Sequence, residues 1–99
     1  MTYLKVKWLH RLAGEPVLLF SELSDSRKEL RKVEVYRDGR YDYADELVTT
    51  GGAVLSETPI PTMDEIGADP QFDPVEIDRE EFERAWAEAM RQHLKHPSR

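Results

Sequence analysis

Asp78-Arg79-Glu80-Glu81-Phe82-Glu83-Arg84-Ala85-Trp86-Ala87-Glu88-Ala89-Met90-Arg91-Gln92-His93 is the stretch on which the fold turns. Phe82, Ala85, Trp86, Ala89, Met90 and His93 fall at i, i+3, i+4, i+7, i+8 and i+11. That spacing predicts one apolar stripe on a helix over about 79–94. Asp78 suits the N-cap, and Glu81 three residues on completes a capping-box-like pair. Glu80, Glu81 and Glu83 crowd the start while Arg91 and Lys95 sit near the end, as the helix dipole prefers. Pro97 stops the run. A helix with a single apolar stripe needs a layer to lie on, and the rest of the chain must supply it.

That layer reads as β-structure. Leu4, Val6, Trp8 and His10 alternate with Tyr3, Lys5, Lys7, Leu9 and Arg11, so residues 3–11 predict a half-buried strand. Ala13-Gly14-Glu15-Pro16 supplies a turn. Residues 17–23 are more continuously apolar and predict a central strand. After Ser24-Asp25-Ser26, residues 27–37 predict a third strand through Leu30, Val33 and Val35. Asp38-Gly39 is a hairpin signal of the type I′ kind, and residues 40–45 return through Tyr41 and Tyr43. The expected architecture is α+β: a four-stranded antiparallel meander with the C-terminal helix packed on a face. The helix stripe is expected to cover Val6, Trp8, Leu18, Phe20, Val33 and Val35. The chain reads as one domain, 1–99, with sheet over about 3–45, an irregular acidic segment over about 46–78 and the helix over about 79–94. Within the irregular segment, Ala53–Ser56 reads as a short strand and Thr62 as the cap of one helical turn over Met63–Ile66. Val75 and Ile77 read as a brief edge strand.

Charge is distributed unevenly. Residues 41–83 carry thirteen acidic side chains and one basic one, Arg79, a local charge of −12. The segments before and after each carry +3, which leaves the chain at −6. A solvent-facing acidic segment favours a basic protein partner over a phosphate backbone. The chain has no cysteine, so disulfides and thiolate chemistry are excluded. No segment approaches the ~20 apolar residues that span a bilayer, and the start resembles no signal peptide. The expectation is a cytoplasmic protein with no membrane or nucleic-acid partner and no cofactor.

A set of phrases along the chain resembles a family of small bacterial proteins of unknown function. They are Lys5-Val6-Lys7-Trp8-Leu9-His10, Glu15-Pro16-Val17, Ser21-Glu22-Leu23, Arg31-Lys32-Val33-Glu34 and Arg37-Asp38-Gly39-Arg40. Pro59-Ile60-Pro61, Glu65-Ile66, Ala68-Asp69-Pro70-Gln71-Phe72, Ile77 and Glu80-Glu81-Phe82 are similar to the same family. The resemblance covers nearly the whole chain and implies a free-standing bacterial protein. Some relatives stand near toxin systems, which brings an immunity role into view. The family is usually more acidic just after the position of His10, where this chain has Arg11.

Two constellations could carry function. The first is an acidic docking surface for a basic partner, with Asp42, Asp45, Glu46, Asp64, Glu65, Asp69 and Asp73 supplying charge and exposed Tyr41, Tyr43 and Phe72 as anchors. Its plain alternative is solubilising charge. The second is a polar cluster of His10, Glu22 and Arg31 beside Trp8 at the rim of the sheet. There a carboxylate could orient an imidazole for proton transfer and the guanidinium could hold an anion. Its plain alternative is a Glu22–Arg31 ion pair that closes the core. The remaining signals are weak. His93 and His96 lack a third metal ligand nearby. Gly51-Gly52 after Thr49-Thr50 lacks the context of a phosphate loop. Lys5, Lys7, Lys28, Lys32 and Arg40 on the sheet's outer face, with Tyr3, Tyr36 and Tyr41 between them, could form a nucleic-acid platform, but RNP-type aromatic motifs are absent and the net charge opposes it. No catalytic motif is present. The reading is a small acidic protein-binding module and not an enzyme, with a ligand binder or enzyme built on the Trp8 cluster as the alternative. Oligomeric state is left open, with strand edges as one route to self-association.

Overall fold

The computed structural model describes residues 1–94. Five strands, β1 (Thr2–Trp8), β2 (Leu18–Leu23), β3 (Glu29–Val35), β4 (Tyr41–Ala44) and β5 (Phe72–Ile77), form one antiparallel sheet in the order β4-β3-β2-β1-β5. One helical turn, α1 (Met63–Gly67), precedes β5, and α2 (Arg79–Leu94) follows it. The fold is α+β as expected, with five strands instead of four. The added strand is the brief edge segment through Val75 and Ile77, lengthened to six residues and laid beside β1. Ala53–Ser56 forms no strand. Pro97 and Lys95, the expected stop and dipole partner of the helix, lie outside the described residues.

The helix stripe is as the spacing predicts. Phe82, Ala85 and Ala89 are buried, and Trp86 and Met90 pack around them. The Asp78 carboxylate caps α2 by accepting the Glu81 N–H at 2.8 Å. The Glu81 side chain turns instead to Lys5 Nζ, also at 2.8 Å. The helix covers Leu18, Phe20, Val33 and Val35, as expected, together with Tyr3, Tyr41 and Tyr43.

On β1 the expected facing is corrected. Register pairs Lys5 with Phe20 and Tyr3 with Glu22, so the odd residues of β1 lie under the helix. Leu4, Val6 and Trp8 do share one face, but it is the opposite one, with Leu19 and Ser21. The link between β1 and β2 is long, so no tight turn fixes register, and a slip of one residue exchanges the faces. β1 carries large side chains on both faces because β2 and β5 flank it and both faces of the sheet are covered.

The second cover is the segment after β4. The Lys32 ammonium donates to the Val54 carbonyl at 2.8 Å, and the Ser56 N–H donates to Glu29 Oε1 at 2.8 Å. The Ile60 N–H donates to the Arg27 carbonyl at 2.8 Å. The Arg27 guanidinium donates to the carbonyls of Ile60 and Pro61 at 2.9 and 2.6 Å. Ala53 is buried beneath this strap.

The hairpin at Asp38-Gly39 forms, with a different turn. Only Gly39 has positive φ, and its N–H donates to the Tyr36 carbonyl while the Tyr36 N–H donates to the Arg40 carbonyl. This is a three-residue loop with glycine at the left-handed position, not a type I′ turn.

Both sheet edges are blunted. On β4 every outward backbone group is taken: the Tyr41 N–H by Gln92, the Tyr41 carbonyl by His93, and the Tyr43 N–H and carbonyl by Thr50. On β5 the bond from the Leu9 N–H to the Gln71 carbonyl sets the phase of the ladder, so Phe72, Pro74 and Glu76 turn their backbones outward. Pro74 has no N–H, and the Phe72 N–H is used by the Asp69 carbonyl. Such edges resist strand addition.

Candidate functional site

The polar cluster expected at the rim of the core separates into two places. Glu22 and Arg31 face each other beneath α2. The Arg31 guanidinium donates to Glu22 Oε1 and Oε2 at 2.7 and 3.0 Å and to Glu83 Oε2 at 2.6 Å. Its plane lies 4.8 Å from the ring centres of both Phe82 and Trp86. The Tyr3 hydroxyl donates to Glu22 Oε2 at 3.1 Å. The guanidinium bonds hold the Glu22 carboxyl below the usual carboxylate range, although burial acts the other way. Burial and the neighbouring Glu22 raise the Tyr3 phenol. Sequence reasoning misses Tyr3, because alternation along β1 sets it opposite Trp8, and Glu83, because no local pattern brings α2 to Arg31.

Trp8 and His10 are elsewhere. Tyr3 is the partner of Glu22, and Trp8 lies five residues further along β1, about 17 Å away at ~3.4 Å per residue, on the opposite face. His10 is bonded on both nitrogens. Nδ1 accepts the Leu12 N–H at 2.9 Å, so Nε2 is the donor to the Pro16 carbonyl at 2.8 Å. The ring packs 4.2 Å from the Trp8 indole, whose N–H donates to Gln71. A general base needs a free lone pair aimed at substrate, and His10 spends its own on the backbone of its loop. The four residues therefore form no common site.

The acidic residues also divide. Asp42 is 3% exposed. It accepts from the Thr50 hydroxyl at 3.1 Å, and His93 Nε2 stands 3.3 Å from it. Gly51 passes so close that a Cβ there would lie 2.2 Å from Asp42 Oδ2. The Gly51-Gly52 loop thus cradles a carboxylate of its own chain, and Asp42 is corrected from docking residue to structural one. Asp45 accepts the N–H groups of Leu47 and Val48 in a turn after β4, with Glu46 exposed beside it. These two lie at the edge of the sheet opposite β5.

Asp64, Glu65, Asp69, Phe72 and Asp73 gather at the other edge, on α1, β5 and the link between them. Glu65 completes a capping box with Thr62, and the bonds from Thr62 hold its carboxyl below the usual range. Asp69 Oδ1 accepts the Gln71 N–H. Phe72 is half-buried, 6.0 Å from Trp8. Asp64, Asp73, Glu76 and Glu80 are exposed and form no ion pair among the described residues.

Next to this acidic edge lies a cleft of about 360 Å³ between the second face of the sheet and α1. Leu4, Val6, Leu19 and Phe72 line it from the sheet, and Ile60, Pro61 and Ile66 from the segment that precedes β5. Glu65 and Asp69 line it too, and Ser21, Glu29 and Lys32 complete it. Glu29 is satisfied there by the Ser21 hydroxyl at 2.6 Å and by the Ser56 N–H. No sequence signal pointed to this cleft, because it exists only where the 60–72 segment folds back over β1 and β2.

A family model described as a domain of unknown function (DUF6881) matches residues 2–91. The chain belongs to that family. The DUF6881 match spans all five strands and most of α2, so the cleft and both acidic groups fall inside it. No curated protein and no solved structure matches the chain.

His96 lies outside the described residues, so the expected His93–His96 pair reduces to His93, whose Nε2 donates to the Tyr41 carbonyl at 2.7 Å. Among the described residues no three His, Asp or Glu side chains gather to hold a metal ion. No helix among them is long and apolar enough to cross a membrane. The basic and aromatic residues considered as a platform do not share a face: Lys5 and Tyr3 lie under α2, and Lys32 is tied to the strap on the other side.

Proposed function

We propose that the protein is a small binding module that meets a basic protein surface through the acidic edge formed by α1, β5 and the start of α2. The observation that carries this reading is a division among the carboxylates. Those in the interior are partnered: Glu22 by Arg31, Glu29 by Ser21 and Ser56, Asp42 by Thr50. Asp64, Asp73, Glu76 and Glu80 at the edge have no cation within ion-pair distance among the described residues. Folding consumes the first group and leaves the second for a partner. Val75, 47% exposed, shares a face of β5 with Asp73 and adds an apolar contact.

In this reading the protein is a bacterial cytoplasmic antagonist, an immunity protein that masks a basic toxin or nuclease. Electrostatic complementarity of this kind speeds encounter and weakens as salt rises. The test is binding to lysine-rich polypeptide at low and high ionic strength, with wild type and an Asp64→Asn/Asp73→Asn/Glu76→Gln variant. Affinity should fall steeply with salt and fall again in the variant. Affinity indifferent to both refutes the reading. Co-expression with an adjacent toxin gene tests the immunity role, and survival no better than with an empty vector removes it.

A further inference from the structure

We infer that the cleft between α1 and the second face of the sheet receives a single aliphatic side chain of the basic partner, flanked by lysine or arginine residues that meet Asp64, Glu65 and Asp69. This rests on the proposed function and names the chemistry its partner must carry. Three observations lead to it.

The first is that α1 packs against β5 without burying its own side chains. None of its residues is fully buried, and the Thr62–Glu65 capping box closes its first turn. Ile66 is therefore only half-buried and faces a gap floored by Leu4, Val6 and Leu19. The second is size. About 360 Å³ is at the low end of the ~300–1,000 Å³ range of ligand pockets. It admits an aliphatic side chain and is too small for a helix. The third is charge. The two cations nearest the cleft are committed: Arg27 to the carbonyls of Ile60 and Pro61, and Lys32 to the carbonyl of Val54, with Glu29 at 3.6 Å. The carboxylates of Glu65 and Asp69 line the cleft, and Asp64 is exposed on the same turn as Glu65. An apolar hollow with an anionic border matches an aliphatic anchor between cations.

The test uses a short lysine-rich peptide with one central leucine and its twin with serine at that position, titrated into the isotopically labelled full chain. The leucine peptide should bind about tenfold tighter, the factor that burial of one such side chain supplies. Its amide shift changes should centre on Leu4, Leu19, Ile66 and Phe72. Ile66→Ser, on a turn that carries no core residue, should abolish the preference for leucine while leaving the serine peptide unaffected. Shift mapping on the wild type decides the matter even if that variant is unstable. Equal binding of both peptides, mapped to Asp64 and Asp73 alone, overturns the cleft assignment and leaves the acidic edge in place. Leucine-dependent binding that ignores salt keeps the cleft and overturns the charge reading. No binding of either peptide overturns both. Concentration-dependent self-association that shifts the same amides would instead place a second copy there, through its exposed Leu9, Arg11 and Leu12, and would also overturn the inference.

Discussion

Replacing Arg31 with Met isolates the element that joins helix to sheet. Glu22 is 9% exposed, and in the folded protein its charge is met by the Arg31 guanidinium and the Tyr3 hydroxyl. Removing one member of a buried pair leaves the other uncompensated, at ~3–5 kcal/mol. The lower end applies, because the Arg31 side chain keeps 20% exposure and some water reaches the pair. The stacking of Arg31 on Phe82 and Trp86 adds up to ~1 kcal/mol. Glu83 adds little, since at 39% exposure it regains water. The expected loss is about 3–4 kcal/mol, roughly 15–20 °C in melting temperature for a domain of this size.

The pH dependence gives a sharper signature. The folded Glu22 carboxyl lies below its ordinary value of 4.5. Its stabilisation is therefore complete above that value and is lost as pH falls through the lowered one. In Arg31→Met the sign reverses, because a buried carboxylate without its cation is raised. The variant should gain stability as pH falls from 7 toward 4, and its gap to wild type should close. Urea unfolding at both pH values measures this. A gap below ~1 kcal/mol at pH 7, or one equal at both pH values, refutes the argument. An added Glu22→Gln change should restore part of the loss, because it removes the stranded charge.

Other perturbations follow from particular contacts. Gly51→Ala puts a Cβ 2.2 Å from Asp42 Oδ2 at φ +54, and should cost at least ~2 kcal/mol in chemical denaturation; an unchanged midpoint would show that the cradle is not rigid. Pro74→Thr gives β5 an outward N–H, and should leave the fold intact while raising concentration-dependent association in sedimentation experiments. His93→Ala removes the donor to the Tyr41 carbonyl, and should cost ~1 kcal/mol and speed amide exchange in the last turn of α2; exchange as slow as wild type would show that the latch is dispensable.

Much of the fold was legible along the chain. The stripe of Phe82, Ala85, Trp86 and Ala89 sets the helix and its buried side, because helical period is a local property. Asp38-Gly39 marks the β3–β4 hairpin, and Thr62 the start of α1. The candidate site was far less legible. Asp42 and Asp73 are the same residue type in the same acidic segment. One is sealed under Gly51 and Thr50, and the other faces solvent at the edge. Composition counts both equally, and only chain packing separates them.

The sequence by itself determined an α+β chain, the stripe of α2, an acidic middle and the alternation of Leu4, Val6 and Trp8. Each depends on neighbours a few residues apart, where backbone geometry fixes direction. Tertiary structure alone decided that this alternating set looks away from the helix, that His10 is parted from Glu22 and Arg31, and that a cleft opens between α1 and the second face of the sheet. These outcomes depend on strand register and on where the 49–72 segment lies. Long-range packing sets both, through contacts such as Lys32 to Val54 and Arg27 to Ile60 that no local pattern encodes.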